Sequence, residues 1–566
     1  MLTIVLQIQA PALKPCRAVI TGVIARNSPS VRCDVAIKAP YPDGPTADKG
    51  RSGIAAVPVA HPARTPDRQG APMTTGIHHV TGITADVQAN VDFYVGFLGL
   101  DLVKQTGGYE DAEQLHLFYG DKAGSPGSLV SFLVWQSGGR GRTGLGQVAE
   151  LALAVPMDSI GDWLTRALSA RVPVEGPVRE FGEPVLRLKD PDGMIVKLVG
   201  VSGGTFPRLR GVTLLTDMAE DSARFLARFG YRPGPVSGAV QRLVSETDVV
   251  DLRAASGFVR SIPGAGVADH VAFRAPDVAA VQAMRLALAD YGPTHVHDRM
   301  YFLSLYVREP GDTLIEYATD GPGMAVDEAP DRLGRVLMVP PGDAARAEDL
   351  RVLLPQFALP GEERFAMRDL PFVHRFYRPA DPDGSTLVLL HGSGGNEADL
   401  MPLAHRIAPR ATLLGVRGRS TEEGVNRWFR RMGPTRYDQA DIGAEAEAFA
   451  AFIRGAQVSY GLETGRMAFL GYSNGANLLA AILQICPDVV RRAVLLRAVQ
   501  PLETPPPADL AGARVLMLTG ARDPHVADAP PLAAALRAAG ADVTVQTLTA
   551  GHALTAEDEA AARRWL

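Results

Sequence analysis

The chain has 566 residues, enough for about three to five packing units at the usual domain size. An apolar share of 46% with 21% charged residues excludes a wholly disordered or fibrous chain. The 57 basic and 62 acidic residues leave a net charge of -5, which excludes a large basic surface for nucleic acid, and no uninterrupted run of about 18 apolar residues predicts a membrane-spanning helix.

Residues 1–72 differ in texture from the rest of the chain. They hold ten prolines, nine basic residues, four aspartates and no glutamate, so the segment is net +5. The opening MLTIVLQIQAPAL is apolar but lacks the basic flank of a secretory signal. The expectation is a disordered or spurious extension, with Met73 as the natural start and a transit peptide as the alternative. Cys16, Cys33 and Cys486 are too few and too scattered for a disulfide framework, so a cytoplasmic setting is expected.

From Met73 a strand-like opening recurs four times: HHVTGIT from His78, ELALAVP from Glu150, GVTLLTD from Gly211 and HVAFRAPD from His270. Aligning His79, Glu150, Gly211 and His270 gives spacings of 71, 61 and 59 residues. Each opening leads into a stretch with helical apolar spacing and then into short strands broken by Gly and Pro. The repeat predicts four βαβββ modules whose curved sheets must pair to bury apolar area, enclosing metal-binding cups. Modules 1 and 2 span 73–200, modules 3 and 4 span 201–325, and a completing segment and linker run over 326–370.

Two of the four aligned openings are histidine, His79 and His270. The last strand of the fourth module, TLIEYATDG, carries Glu316, where the second module has Lys197 and the third Asp251. Alone, a histidine at a strand start is more often structural, and a strand glutamate more often solvated. Together, residues of one strand parity face the same cup, so His79, His270 and Glu316 can converge. Two imidazoles and one carboxylate leave coordination positions open, which suits non-haem Fe(II); Mn(II) fits the same donors.

The stretches GIHHVTGIT, FYVGFLGLDLVKQT, LHLFYGDKAGSPGS, DHVAFRAPD, DRMYFLSLYVREPGDTLIEYATDGPG and LGRVLMVPP resemble the extradiol ring-cleaving dioxygenases of the vicinal oxygen chelate superfamily, in the branch acting on hydroquinones. The resemblance implies that His79, His270 and Glu316 are iron ligands. It implies that His78, Arg299 and Tyr306 orient the diol, take its proton and stabilise charge on the ring oxygens. The implied partners are a small aromatic diol and dioxygen. Asp269 departs from the pattern, standing where the branch often has a second histidine, and puts a substrate hydrogen bond in doubt. His116 is read as packing or pocket lining.

From residue 371 the texture becomes α/β with a mostly parallel sheet. MAFLGYSNGANLLAAILQ reads as strand, tight turn and helix, with Ser473 in a G-x-S-x-G nucleophile elbow. ARVLMLTGARDPHV supplies Asp523 and DVTVQTLTAGHALT supplies His552, the chain order this fold requires. His552 is expected to take the Ser473 proton and Asp523 to fix its tautomer. The N–H groups of Ser393 and Asn474 are the expected oxyanion hole. His525 is read as pocket rim, His391 as structural and Cys486 as a buried helix residue. Trp428 and Phe429 are placed either in the acyl pocket or in the core.

LHGSGGNEADL, RGRS, NRWFRR, GYSNGANLL, TGARDPHV and AGHALT resemble the phospholipase/carboxylesterase branch of α/β-hydrolases over 371–566. The implied substrate is an ester or acyl compound. The joint expectation is a bifunctional enzyme of aromatic or quinone breakdown, with no nucleic-acid or membrane partner and with homo-oligomerisation left open. Two rivals stand beside it. One is a metal-dependent glyoxalase-type isomerase or thiol transferase fused to an esterase; the other is a non-catalytic quinone- or drug-binding cup fused to an active esterase.

Overall fold

The computed structural model describes residues 75–136, 138–363, 370–433 and 436–566; the expectations for residues 1–72 lie outside them. Two large sheets are built from the four modules, and the first module pairs with the fourth. The strand Ile77–Thr84 runs antiparallel to Ala268–Ala275 at the centre of a nine-stranded sheet. The second module pairs with the third, through Gln147–Pro156 against Arg208–Thr216 in an eight-stranded sheet. The sheet faces turned away from the cups are buried together: Leu117, Phe132 and Phe273 of the first sheet share one core with Leu151 and Leu214 of the second.

The cross-strand register explains the repeat. Two residues beyond each aligned opening, Thr81, Ala152, Thr213 and Ala272 lie opposite Ser131, Lys197, Asp251 and Glu316 on the neighbouring parallel strand. The opening strand and the last strand of each module thus meet at the middle of a cup. In the nine-stranded sheet those positions bring histidines and Glu316 together. In the eight-stranded sheet they bring Glu150, Lys197 and Asp251 together instead.

After residue 325 the chain is pinned to the first sheet. The buried ammonium of Lys104 donates to Asp327 Oδ1 at 2.6 Å and to Glu328. The short strand Leu337–Met338 then pairs with Asp101–Gly107. The helix Ala347–Leu353 packs against the helix Met401–Ile407, and its Val352 lies in a core shared with Leu389 and Leu470.

The second half is a seven-stranded sheet. His374–Tyr377 runs antiparallel at one edge; Thr412–Val416, Thr386–Leu390, Met467–Tyr472, Arg492–Leu496, Arg514–Gly520 and Asp542–Leu548 follow in parallel. Its central strands are nearly continuous apolar runs because helices cover both faces. Gln439–Tyr460, Asn474–Ile485 and Ala529–Ala538 lie over one face, and Met401–Ile407 and Ala556–Trp565 over the other. Among the described residues no helix is long and apolar enough to cross a membrane.

Candidate active sites

The first site lies at the middle of the nine-stranded sheet. His79 Nε2 and His270 Nε2 each lie 3.0 Å from Glu316 Oε2, and 3.3 Å from one another. All three side chains are buried, and they are the one group of three metal-capable donors found among the described residues. Neither Glu316 oxygen has a hydrogen bond of good geometry, despite contacts this short. Three buried donor atoms this close together, one of them on a carboxylate held ionised, suit a divalent cation. The residues therefore fit the metal that the sequence pattern implies.

Charge at the site follows from burial and proximity. Burial alone would push the Glu316 carboxyl up, but the adjacent His79 and His270 imidazoles hold it well below the usual range. Burial lowers His79. Burial also disfavours the His270 cation, but the hydrogen bond from its ring to Asp269 and the Glu316 carboxylate beside it outweigh this and push it up to about 9.

Each imidazole is held at its far nitrogen by the preceding residue. His270 Nδ1 donates to Asp269 Oδ2 at 2.7 Å, and His79 Nδ1 lies 2.9 Å from His78 Nδ1. The structure therefore sets His78 behind its neighbour, packed on Phe302, with burial lowering it to about 3. Asp269, read from sequence as a departure, orients a donor ring. Tyr306 faces Glu316 across the strand pair and lies 5.5 Å from the His270 ring. Burial keeps its phenol protonated, raised well above its ordinary value. The Arg299 guanidinium sits 5.5 Å from the Tyr306 ring and donates to Glu110 Oε1 at 2.8 Å.

Sequence reasoning missed a polar chain at this site. His270 Nε2 lies 2.9 Å from Thr81 Oγ1, which lies 2.8 Å from Ser131 Oγ, which lies 3.1 Å from His116 Nε2. The signal was present, since Ser131 occupies in the first module the position Glu316 holds in the fourth. His116 stacks 4.2 Å from Phe118 and ends this chain.

The corresponding centre of the eight-stranded sheet is filled by side-chain charges. Lys197 Nζ lies 3.1 Å from Glu150 Oε2 and 4.0 Å from Asp251 Oδ2. Arg242 grips both Asp251 oxygens at 2.8 and 2.9 Å, and Arg187 Nε donates to Glu150 at 3.0 Å. An ammonium stands where the other sheet gathers metal-type donors.

The second site crowns the parallel sheet. His552 Nε2 lies 2.9 Å from Ser473 Oγ, and His552 Nδ1 lies 2.9 Å from Asp523 Oδ2. Ser473 adopts φ 52°, a strained conformation for a residue with a side chain, which projects it from the turn. The flanking glycines are required by close approach: a Cβ on Gly471 would fall 2.8 Å from the Ala476 backbone, and one on Gly475 2.2 Å from the Leu390 carbonyl oxygen. Asn474 opens the helix, so its N–H has no intrahelical acceptor. Ser393 borders the same cavity of about 300 Å³.

The other sequence-predicted residues of this half separate clearly. His525 donates its backbone N–H to Asp523 Oδ1 at 2.9 Å, and its ring sits at the cavity wall, 6.0 Å from His552. His391 Nδ1 donates to the Gly392 carbonyl, and its Nε2 accepts from the Gly418 N–H at 3.0 Å, a structural role. Trp428 and Phe429 do not line the cavity; both are fully buried in the core, and the indole donates to the His391 carbonyl at 2.8 Å. Cys486 is half-buried at the end of its helix, and burial pushes its thiol up. Arg431, Tyr437 and Asn477 also line the cavity; none was singled out from sequence, although NRWFRR ends in Arg431 and GYSNGANLL contains Asn477.

Residues 76–198 match the family described as Glyoxalase/Bleomycin resistance protein/Dioxygenase superfamily. MhqO of Bacillus subtilis (strain 168), a ring-cleaving dioxygenase by provisional assignment, is 35% identical over 311 residues, covering 51% of this chain and 98% of that protein. The chain belongs to the glyoxalase/bleomycin resistance protein/dioxygenase superfamily. Within it, the chlorohydroquinone/hydroquinone 1,2-dioxygenase of Sphingobium indicum is 30% identical over 298 residues, covering 47% of this chain and 91% of that enzyme. This superfamily member carries an α/β-hydrolase as its second half. MhqD of B. subtilis, a hydrolase by provisional assignment, is 37% identical over 183 residues, covering 32% of this chain and 92% of that protein.

Proposed function

We propose that the chain is a bifunctional enzyme of aromatic breakdown. Its first half opens the ring of a hydroquinone- or catechol-type diol with dioxygen and Fe(II), and its second half hydrolyses an ester through Ser473, His552 and Asp523. The convergence of His79, His270 and Glu316 carries the first part of this reading. The similarity to a hydroquinone 1,2-dioxygenase supports the substrate class.

A ferrous ion held by these three side chains would supply Lewis acidity toward a diol hydroxyl and redox chemistry toward dioxygen. The chain's own residues do the rest. Asp269 and His78 fix the ring planes of the two imidazoles. Tyr306, kept as a phenol, donates a hydrogen bond to a diol oxygen, and Arg299 balances negative charge as the ring opens. In the second half His552 takes the Ser473 proton, Asp523 steadies the imidazolium, and the N–H groups of Ser393 and Asn474 receive the oxyanion.

Dioxygen uptake by the Fe(II)-loaded full chain with hydroquinone, followed by product mass, tests the reading. Stoichiometric uptake with a ring-opened product supports it. Turnover without dioxygen would favour isomerase chemistry, and tight binding without turnover a binding cup.

A further inference from the structure

We infer that the hydrolase half selects an acyl group bearing a carboxylate, and that Arg431 anchors that anion. This rests on the esterase reading above and names its substrate class. The cavity beside Ser473 holds about 300 Å³, room for a short acyl chain. Among its described lining residues Val499 is the only aliphatic one, and none is aspartate or glutamate. Tyr437, Tyr472, Asn474 and Asn477 give it polar walls. The large aromatics Trp428 and Phe429, which would make an apolar acyl pocket, are sealed in the core.

Two arginines border the cavity, and they differ. Arg497 is neutralised: its guanidinium meets both Asp558 oxygens at 2.7 and 2.9 Å and donates to the Gly551 carbonyl at 2.8 Å. Among the described residues the Arg431 guanidinium has no hydrogen bond or ion pair. Its backbone N–H is fixed by Glu422 Oε1 at 3.0 Å, and the other oxygen of Glu422 pairs with Arg427 at 3.1 Å. The backbone is thus anchored while the charge is left for a ligand. A planar fork of donors facing an acid-free polar cavity suits a carboxylate.

The chemistry balances as ordinary ester hydrolysis. Ser473 Oγ forms a bond to the acyl carbon, the ester C–O bond breaks, and the departing oxygen takes the proton held by His552. Water then releases the acid and returns the proton to His552 and Ser473. Ring opening turns a hydroxyl-bearing ring carbon into a carboxylic acid. Ring opening itself forms no ester, so an anionic acyl substrate places the hydrolase after that step where the ring already carried an ester group, whereas a neutral aryl ester would place it before.

The test is a ratio within one preparation of the full chain. Mono-4-nitrophenyl succinate carries the anion, and its methyl ester is the neutral match. The wild type should favour the anionic ester in kcat/KM by about tenfold or more, and Arg431→Gln should lower that ratio by about tenfold, chiefly through KM. Arg431→Lys should keep part of the preference. A ratio near one in the wild type, or one untouched by Arg431→Gln, overturns the inference while the esterase stands. No Ser473-dependent hydrolysis of either ester overturns both.

Discussion

Asp269 Oδ2 accepts a 2.7 Å hydrogen bond from His270 Nδ1, which turns the opposite nitrogen of that ring toward Glu316. An imidazole can offer a lone pair at Nε2 only when its proton is held at Nδ1, and the carboxylate makes that tautomer the favoured one. Asp269→Asn should therefore weaken divalent-metal binding about 10- to 100-fold, read by competition with a fluorescent chelator. Affinity equal to the wild type would mean that Asp269 does not position the ring.

The Ser473–His552–Asp523 contacts predict a separable loss. Ser473→Ala should lower ester hydrolysis by at least about 10³-fold, and Asp523→Asn by about 10³- to 10⁴-fold through the wrong His552 tautomer. Dioxygen uptake by the first half should persist in both variants. Mass spectrometry after a fluorophosphonate probe should place the label on Ser473 and on no site in the alanine variant.

Gly475 is predicted to tolerate no side chain. Its Cβ would lie 2.2 Å from the Leu390 carbonyl oxygen, a backbone atom of the buried strand Thr386–Leu390 that cannot step aside. Gly475→Ala should lower the melting temperature of the hydrolase half and abolish its esterase activity. An alanine variant with wild-type melting and turnover would show that the elbow is looser than this contact requires.

The charge cluster of the eight-stranded sheet predicts a pH-dependent stability. Burial would raise Glu150, but Lys197 and Arg187 bring it down to about 2. A depressed carboxylate contributes stability above its ordinary value near 4.5, and that contribution is lost as pH falls toward 2. At pH 7 Glu150→Gln should cost about 3 kcal/mol, because one partner of a buried ionic cluster is removed. The gap between variant and wild type in denaturant midpoint should narrow between about pH 7 and pH 3.5. A gap independent of pH would show that Glu150 acts through shape, not charge.

Much of this architecture was legible because repetition and register are local patterns. Aligning His79 with His270 by strand openings selected two positions that the fold brings within 3.3 Å, since strand parity determines which side chains enter a cup. The elbow was legible because strand, Gly-rich turn and helix are contiguous. What the chain did not disclose depends on contacts between distant segments. The Thr81–Ser131–His116 chain joins three strands. The burial of Trp428 is decided by a helix, Gln439–Tyr460, that no motif ties to it. Asp269 looked like a lost substrate contact because ring orientation at its neighbour is not written in sequence.

The central claim is that His79, His270 and Glu316 hold one divalent ion, and anaerobic titration of the full chain with Fe(II) tests it most directly. The account predicts one ion bound per wild-type chain and no tight binding in Glu316→Ala, with esterase activity intact in both. A wild-type chain that takes up no ion, or a variant that binds as tightly as the wild type, would contradict it.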